Sequence, residues 1–68
     1  MSMIAHQILA VSRNADDADE SARNEAVTTR HELWTSIYTF ADGSVLAVTG
    51  SQINAYDNME QAEQGENV

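Results

Sequence analysis

Two glycine turns, Asp42-Gly43 and Gly50-Ser51, restrict the fold of this chain more than any other feature of its sequence. Glycine adopts a positive φ without steric cost, so such pairs between runs of β-forming residues are typical of hairpins. The runs beside these turns cover residues 32–40, 44–49 and 52–56. The sequence therefore predicts an antiparallel meander of three strands over residues 32–56.

The aromatic residues of the first run fall on one face of the predicted strand, because alternate side chains of a strand share a face. These residues are Trp34, Tyr38 and Phe40, and the opposite face carries Leu33, Ile37 and Thr39. Buried aromatic side chains contribute much of the stability of a small core. We therefore expect Trp34, Tyr38 and Phe40 to form the core rather than a platform for stacking bases.

The N-terminal part of the chain has a helical pattern. Residues 2–29 contain neither glycine nor proline, and their apolar side chains recur every three or four positions. The residues of this pattern are Ile4, Ile8, Val11, Ala15, Ala18, Ala22 and Ala26. A break near Asn14 remains an alternative, with Asn14 or Asp16 capping a new helix over residues 17–27 and residues 6–12 forming a strand. Of these interpretations we favour helix for both pieces, with a kink allowed near Asn14.

A short helix is expected after the sheet, within residues 57–68, with Asp57 or Asn58 as its cap and a frayed tail at 65–68. Together these patterns predict one α+β domain over residues 1–68. In this fold an N-terminal helix packs on a three-stranded antiparallel meander, and a short C-terminal helix follows. A chain of 68 residues is too short for a second domain.

The charge balance is strongly acidic. The 68 residues include 11 Asp and Glu but only 3 Lys and Arg, which gives a formal net charge of −8. Nucleic acids and anionic membrane surfaces carry charge of the same sign, so neither is an expected ligand. The expected partner is a basic, DNA-binding surface of a protein or protein complex. The chain is expected to be a monomer, with the cytoplasm as its default compartment.

Catalytic and metal-binding patterns are weak. There is no cysteine and only two histidines, too few for a closed zinc site. The Asp17-x-Asp19 start of a calcium loop has Ala22 where glycine is needed. His31 and Ser36 have no third orienting group or glycine-rich elbow beside them. The sequence therefore predicts no enzyme activity, no cofactor and no metal site.

The acidic residues are the candidate binding residues. Four of them lie within positions 16–20, and Asp16, Asp19 and Glu20 share one face of a helix, about 5–6 Å between neighbours. Such a face imitates part of a DNA phosphate backbone. The full candidate set is Asp16, Asp17, Asp19, Glu20, Glu25, Glu32, Asp42, Asp57, Glu60 and Glu63.

The hairpin region also resembles a known family. The stretch Tyr38-Thr39-Phe40-Ala41-Asp42-Gly43-Ser44-Val45-Leu46, then Gly50, Ala55 and Asp57, is similar to small phage anti-CRISPR proteins, as is the N-terminal Met3-Ile4-Ala5. Those relatives are acidic, with helices around a small antiparallel sheet, and they inhibit type I Cascade complexes (types I-F and I-C) by mimicking double-stranded DNA.

The resemblance implies a compartment, the cytoplasm of a bacterial host cell, and it implies a binding site as well as a function. The protein would dock on Cascade near the large subunit that reads the PAM duplex, and it would exclude target DNA by competition. Asp42 and Asp57 match the family stretch by position. One alternative keeps DNA mimicry but targets a restriction enzyme or a repressor. Another is an antitoxin-like interaction protein with an apolar interface formed by Ile8, Leu9, Trp34 and Tyr38.

Overall fold

The computed structural model describes residues 3–66, which form a four-stranded antiparallel sheet and three helices. In chain order the elements are α1 (Ile4–Val11), α2 (Ala15–Glu25), β1 (Thr28–Glu32), β2 (Thr35–Thr39), β3 (Val45–Thr49), β4 (Gln52–Tyr56) and α3 (Met59–Glu66). The strand order is β1-β2-β3-β4, so neighbours in the chain are neighbours in the sheet. The predicted α+β class is confirmed, but the prediction of three strands is wrong.

The additional strand is β1. The sequence pattern places residues 28 and 29 in the helical region and residues 32–40 in one long strand. A two-residue turn at Leu33 and Trp34 instead separates β1 from β2, with Glu32 opposite Thr35. All five residues of β1 are polar and exposed, so apolar and polar side chains do not alternate along the strand. Without that alternation, the hydrophobic pattern carries no signal for a strand.

The same turn corrects the predicted core. Trp34 lies at the tip of the β1–β2 hairpin with 83% of its surface exposed, so its assignment to the core is wrong. Leu33 beside it is 99% exposed. Tyr38 and Phe40 are buried in one cluster, as predicted. Because Trp34 belongs to the turn and Tyr38 to β2, only Tyr38 lies on a strand that packs against the helices.

The N-terminal segment contains two helices rather than one. The first helix ends at Val11. After it, the Asn14 side chain accepts a hydrogen bond of 2.9 Å from the backbone N–H of Asp17. This confirms the alternative of a new helix capped by Asn14, although α2 begins at Ala15. The helix favoured for the segment before Asn14 is confirmed, and the alternative strand over residues 6–12 is wrong, because Ile4–Val11 is helical.

The third helix begins with the same cap. Asn58 Oδ1 accepts a 2.9 Å bond from the N–H of Gln61, and Gln61 Oε1 accepts one of 3.1 Å from the N–H of Asp57. The prediction of a cap at Asp57 or Asn58 is confirmed for Asn58. The backbone is helical to Glu66, and the rest of the tail predicted to fray lies outside the described residues.

The helices pack on both faces of the sheet. On one face α1 and α2 contribute small alanines, among them Ala18 and Ala22, which lie against Tyr38, Leu46 and Val48. On the other face Ala62 of α3 packs with Ile37 and Val45. Alanine side chains let a helix approach a sheet closely, so even this short chain has a core. No helix within residues 3–66 is long and apolar enough to cross a membrane.

Both predicted glycine turns are present. Gly43 has a φ of 86° and Gly50 a φ of 58°, the positive values that glycine tolerates best. In the β2–β3 turn, Gly43 N–H donates to the Phe40 carbonyl at 3.0 Å, and Phe40 N–H donates to the Ser44 carbonyl at 3.0 Å. This hairpin places Asp42 beside the start of α1, which matters for the acidic residues considered next.

Candidate partner-binding surface

The ten candidate carboxylates divide into two sets by their hydrogen bonds. Five accept hydrogen bonds or form ion pairs within the fold: Asp17, Asp19, Glu32, Asp42 and Asp57. Five have no such partner within residues 3–66: Asp16, Glu20, Glu25, Glu60 and Glu63. We call the second set the free carboxylates. All five are exposed, whereas Asp17 and Asp19 of the first set are half-buried.

Asp19 joins α2 to the sheet. Its carboxylate accepts hydrogen bonds from the Tyr38 hydroxyl and from the guanidinium of Arg23. Burial alone would raise the pKa of Asp19, but the hydrogen bonds from Tyr38 and Arg23 outweigh it and lower the pKa. Burial, together with the Asp19 carboxylate, raises the pKa of Tyr38. Asp19 is therefore a structural residue, and only 23% of its side chain remains exposed.

Asp42 completes the N-terminus of α1. The local N-cap position, Met3, has no side-chain hydrogen bond, so the first N–H groups of the helix need another acceptor. Asp42 Oδ2 accepts the N–H of Ile4 at 2.7 Å, and Ser44 Oγ accepts the N–H of Ala5 at 3.1 Å. Asp42 Oδ1 in turn accepts the N–H of Ser44 at 2.9 Å. The β2–β3 turn thus caps a helix that lies far away in sequence.

These bonds give a pH-dependent prediction. Hydrogen bonds from Ser44 and from the N–H of Ile4 hold the pKa of Asp42 below its ordinary value of 3.8. A carboxyl with a lowered folded-state pKa stabilises the fold above the unfolded value, and the contribution is lost as pH falls through the folded value. We expect Asp42→Asn to lower the unfolding temperature by several degrees near neutral pH. This difference should shrink on the acid side of 3.8.

Thermal unfolding followed by circular dichroism tests this prediction. It is measured at constant ionic strength, once near neutral pH and once on the acid side of 3.8. Asp16→Asn is the matched control, because Asp16 is exposed and has no partner in the described part of the chain. An Asp42→Asn defect of equal size at both pH values would show that the charge of Asp42 does not stabilise α1.

The other three bonded carboxylates have local roles. Asp17 Oδ2 accepts the N–H of Arg13 at 3.1 Å, next to the cap of α2. Asp57 Oδ1 lies 2.8 Å from His6 Nε2 and so links α1 to the start of α3. Glu32 Oε1 lies 3.0 Å from Arg30 Nε, in a pair with both side chains about half-exposed. Exposed pairs of this kind contribute only about 0–1 kcal/mol, so Glu32 remains accessible to a partner.

The free carboxylates lie on two helices that cover opposite faces of the sheet. Asp16, Glu20 and Glu25 belong to α2, whereas Glu60 and Glu63 belong to α3. Asp16 and Glu20 are four residues apart on α2, which places two like charges side by side. Such a pair destabilises a helix by about 0.2–0.5 kcal/mol. The described residues show no bond within the fold that offsets this cost.

Two open grooves of about 400 Å³ lie on the described part of the fold, and most of the free carboxylates lie outside their linings. The larger lies on the α3 side of the sheet and includes Trp34, Thr49 and Tyr56 in its lining. His31 Nδ1 is 3.0 Å from Ser36 Oγ. Ser36 lies opposite Val48, which packs in the cluster beneath α1 and α2, so this polar pair lies on the face of the sheet away from the larger groove. Across residues 3–66 no three histidine, aspartate or glutamate side chains converge as a metal site.

The exposed hairpin tip formed by Leu33 and Trp34 was not predicted from the sequence. One local signal for it is present, because Leu33-Trp34 follows the polar run Thr28–Glu32. A polar edge strand requires a turn before the next strand begins. The same turn leaves two large apolar side chains in solvent at one end of the sheet. With the free carboxylates, this tip is the second surface feature that has no role within the fold.

Comparison with known proteins gives no relative from which a function is transferred: no protein-family model, curated protein or solved structure matches the chain.

Proposed function

We propose that this protein is a non-enzymatic inhibitor that occupies the basic, DNA-binding surface of another protein by presenting carboxylates in place of phosphates. The observation that carries the proposal is the set of free carboxylates, which are exposed and unbonded in the described fold. A formal charge of −8 on 68 residues adds long-range attraction to a basic partner. Such attraction accelerates association and discriminates against partners of the same charge.

The arrangement of the two acidic helices suits a cleft. Helix α2 presents Asp16 and Glu20 from one face of the sheet, and α3 presents Glu60 and Glu63 from the other. A cleft that grips duplex DNA from two sides lines both of its walls with lysine and arginine, because both strands carry phosphates. A small acidic domain with charges on two sides contacts both walls at once. The extents of the fold, 27 × 22 × 18 Å, are compatible with entry into such a cleft.

The finer proposal is that the target is a type I Cascade complex, near the large subunit that reads the PAM. It is supported by the resemblance of the hairpin stretch to anti-CRISPR proteins. Within that stretch Asp42 is bonded to Ile4 and Ser44, and Asp57 is bonded to His6. We therefore assign these two residues to positioning the helices, and we assign the direct contacts with the partner to the free carboxylates.

The alternatives differ in what the partner touches. A restriction enzyme or a repressor would use the same carboxylates, so only the identity of the target separates them from Cascade. An antitoxin-like partner would need an apolar surface. Ile8 and Tyr38 are buried and cannot form it, whereas Leu9 and Trp34 are exposed, as is Leu33 beside Trp34. That alternative now depends on Leu9 of α1 and on the hairpin tip.

Binding of the purified protein to purified type I Cascade tests the proposal, with and without a short PAM-containing duplex and at low and high salt. We expect the duplex to compete with the protein and added salt to weaken binding strongly, because exposed ion pairs are screened. Binding that is insensitive to salt and duplex would favour the hairpin tip. No binding to any type I complex would refute the Cascade assignment and direct the search to other DNA-binding proteins.

A further inference from the structure

The outer edge of β1 has no neighbour in the sheet. β1 is the first strand in the order β1-β2-β3-β4, and β2 is its main contact among the described elements. The strand is exposed along its whole length, with Val27 before it and Leu33 and Trp34 after it also exposed. An edge strand presents a row of unpaired N–H and C=O groups that pair readily with another strand.

The charges along this edge distinguish it from the rest of the surface. Arg30 and Glu32 balance each other within β1, whereas the free carboxylates lie on α2 and α3. Two copies of a chain with charge −8 repel each other in general. They repel least where the local charges cancel. A second copy is therefore best accommodated at the β1 edge.

We propose that β1 pairs antiparallel with β1 of a second copy, joining the two sheets across a two-fold axis at His31. This register places Arg30 of each copy opposite Glu32 of the other. Because Arg30 and Glu32 share one face of the strand, two complementary pairs form side by side with the existing Arg30–Glu32 contact of 3.0 Å.

The neighbouring symmetric register is less favourable. Centred on Arg30, it places the two guanidinium groups opposite each other on the same face, and like charges directly opposite destabilise a strand pair. In the His31-centred register the two imidazoles face each other instead. The turn that follows β1 then lies beside Thr28 and Thr29 of the other copy, which covers part of the exposed Leu33 and Trp34. This proposal replaces the monomer expected from the sequence, and it does not depend on the proposed target.

Single cysteines report this register directly, since the chain contains no cysteine of its own. Opposed residues of an antiparallel pair have Cα atoms about 4.5 or 5.5 Å apart, within the range that a disulfide spans. We expect His31→Cys to form a covalent dimer under mild oxidation much faster than Thr29→Cys or Arg30→Cys. All three positions are exposed, so accessibility of the thiol is matched. Faster dimerisation of Arg30→Cys would overturn the register.

Charge exchange tests the association without a covalent bond. We expect Arg30→Glu or Glu32→Arg alone to raise the dimer dissociation constant about tenfold or more, because each places like charges opposite each other twice. The double exchange should restore association. Arg13→Glu, on the linker between α1 and α2, is the control that changes net charge by the same amount as Arg30→Glu. Sedimentation equilibrium gives the constants, and a parent chain that is monomeric at every accessible concentration would overturn the proposal.

Discussion

Reversing Asp16, Glu20 and Glu25 to lysine is expected to weaken binding to the DNA-binding partner by about 100-fold or more while leaving the fold intact. Close charge pairs across an interface have coupling energies of about 1.5–7 kcal/mol. The loss of two or three such pairs is therefore enough to weaken binding about 100-fold. The three side chains are exposed and have no bonded partner within residues 3–66. Their replacement therefore changes little inside the domain. Calorimetric titration against the partner measures the loss.

The two acidic helices provide matched controls for each other. Glu60→Lys with Glu63→Lys changes the charge of α3, on the opposite face of the sheet. If the partner is a cleft that contacts both sides, each set weakens binding. If only one set does, the partner contacts one face. Unchanged binding in both sets, with intact unfolding curves, would contradict the proposal that the free carboxylates imitate phosphates.

Asp19→Ala is expected to reduce the free energy of unfolding by about 2–3 kcal/mol, because it removes the carboxylate that accepts hydrogen bonds from Tyr38 and Arg23. Tyr38 is fully buried as a residue, so little water is available to replace the lost bond. For a small domain with a total stability of about 5–15 kcal/mol, this is a large share. Urea unfolding followed by far-ultraviolet circular dichroism measures it.

Asp16→Ala is the control on the same helix, and we expect it to change stability by no more than about 0.5 kcal/mol. The comparison separates two carboxylates that look equivalent in sequence. Tyr38→Phe should reproduce part of the Asp19→Ala defect, since it removes the same hydrogen bond from the donor's side. Equal urea midpoints for Asp19→Ala and Asp16→Ala would show that the link between α2 and the sheet does not stabilise the fold.

The parts of the fold that sequence predicts well are those governed by neighbouring residues. Gly43 and Gly50 adopt the positive φ values that their turns require, and Asn14 caps α2 through the N–H three residues later. β1 could not be predicted in this way. Its side chains are all exposed at a sheet edge, and pairing with β2 stabilises it rather than burial of an alternating face.

The candidate site illustrates the same limit. The sequence shows which residues carry negative charge, but it does not show which of them are already bonded. Asp19 is bonded to a residue 19 positions away, Asp42 to one 38 positions away and Asp57 to one 51 positions away. Such contacts follow from the folding of the sheet and not from local spacing. Half of the predicted phosphate-like carboxylates are therefore already bonded within the described fold.

The remote cap of α1 has a consequence for the order in which this chain folds. Helices shorter than about 12–15 residues are marginal on their own in water, and α1 has only 8. Its first N–H groups acquire acceptors only when the β2–β3 turn has formed, and His6 finds its acceptor only after Asp57 has been made. During synthesis on a ribosome, α1 is therefore fixed only after the residues through Asp57 have been added. Until then Ile4 and Ile8 have no sheet to cover them, so this segment is open to chaperones and proteases.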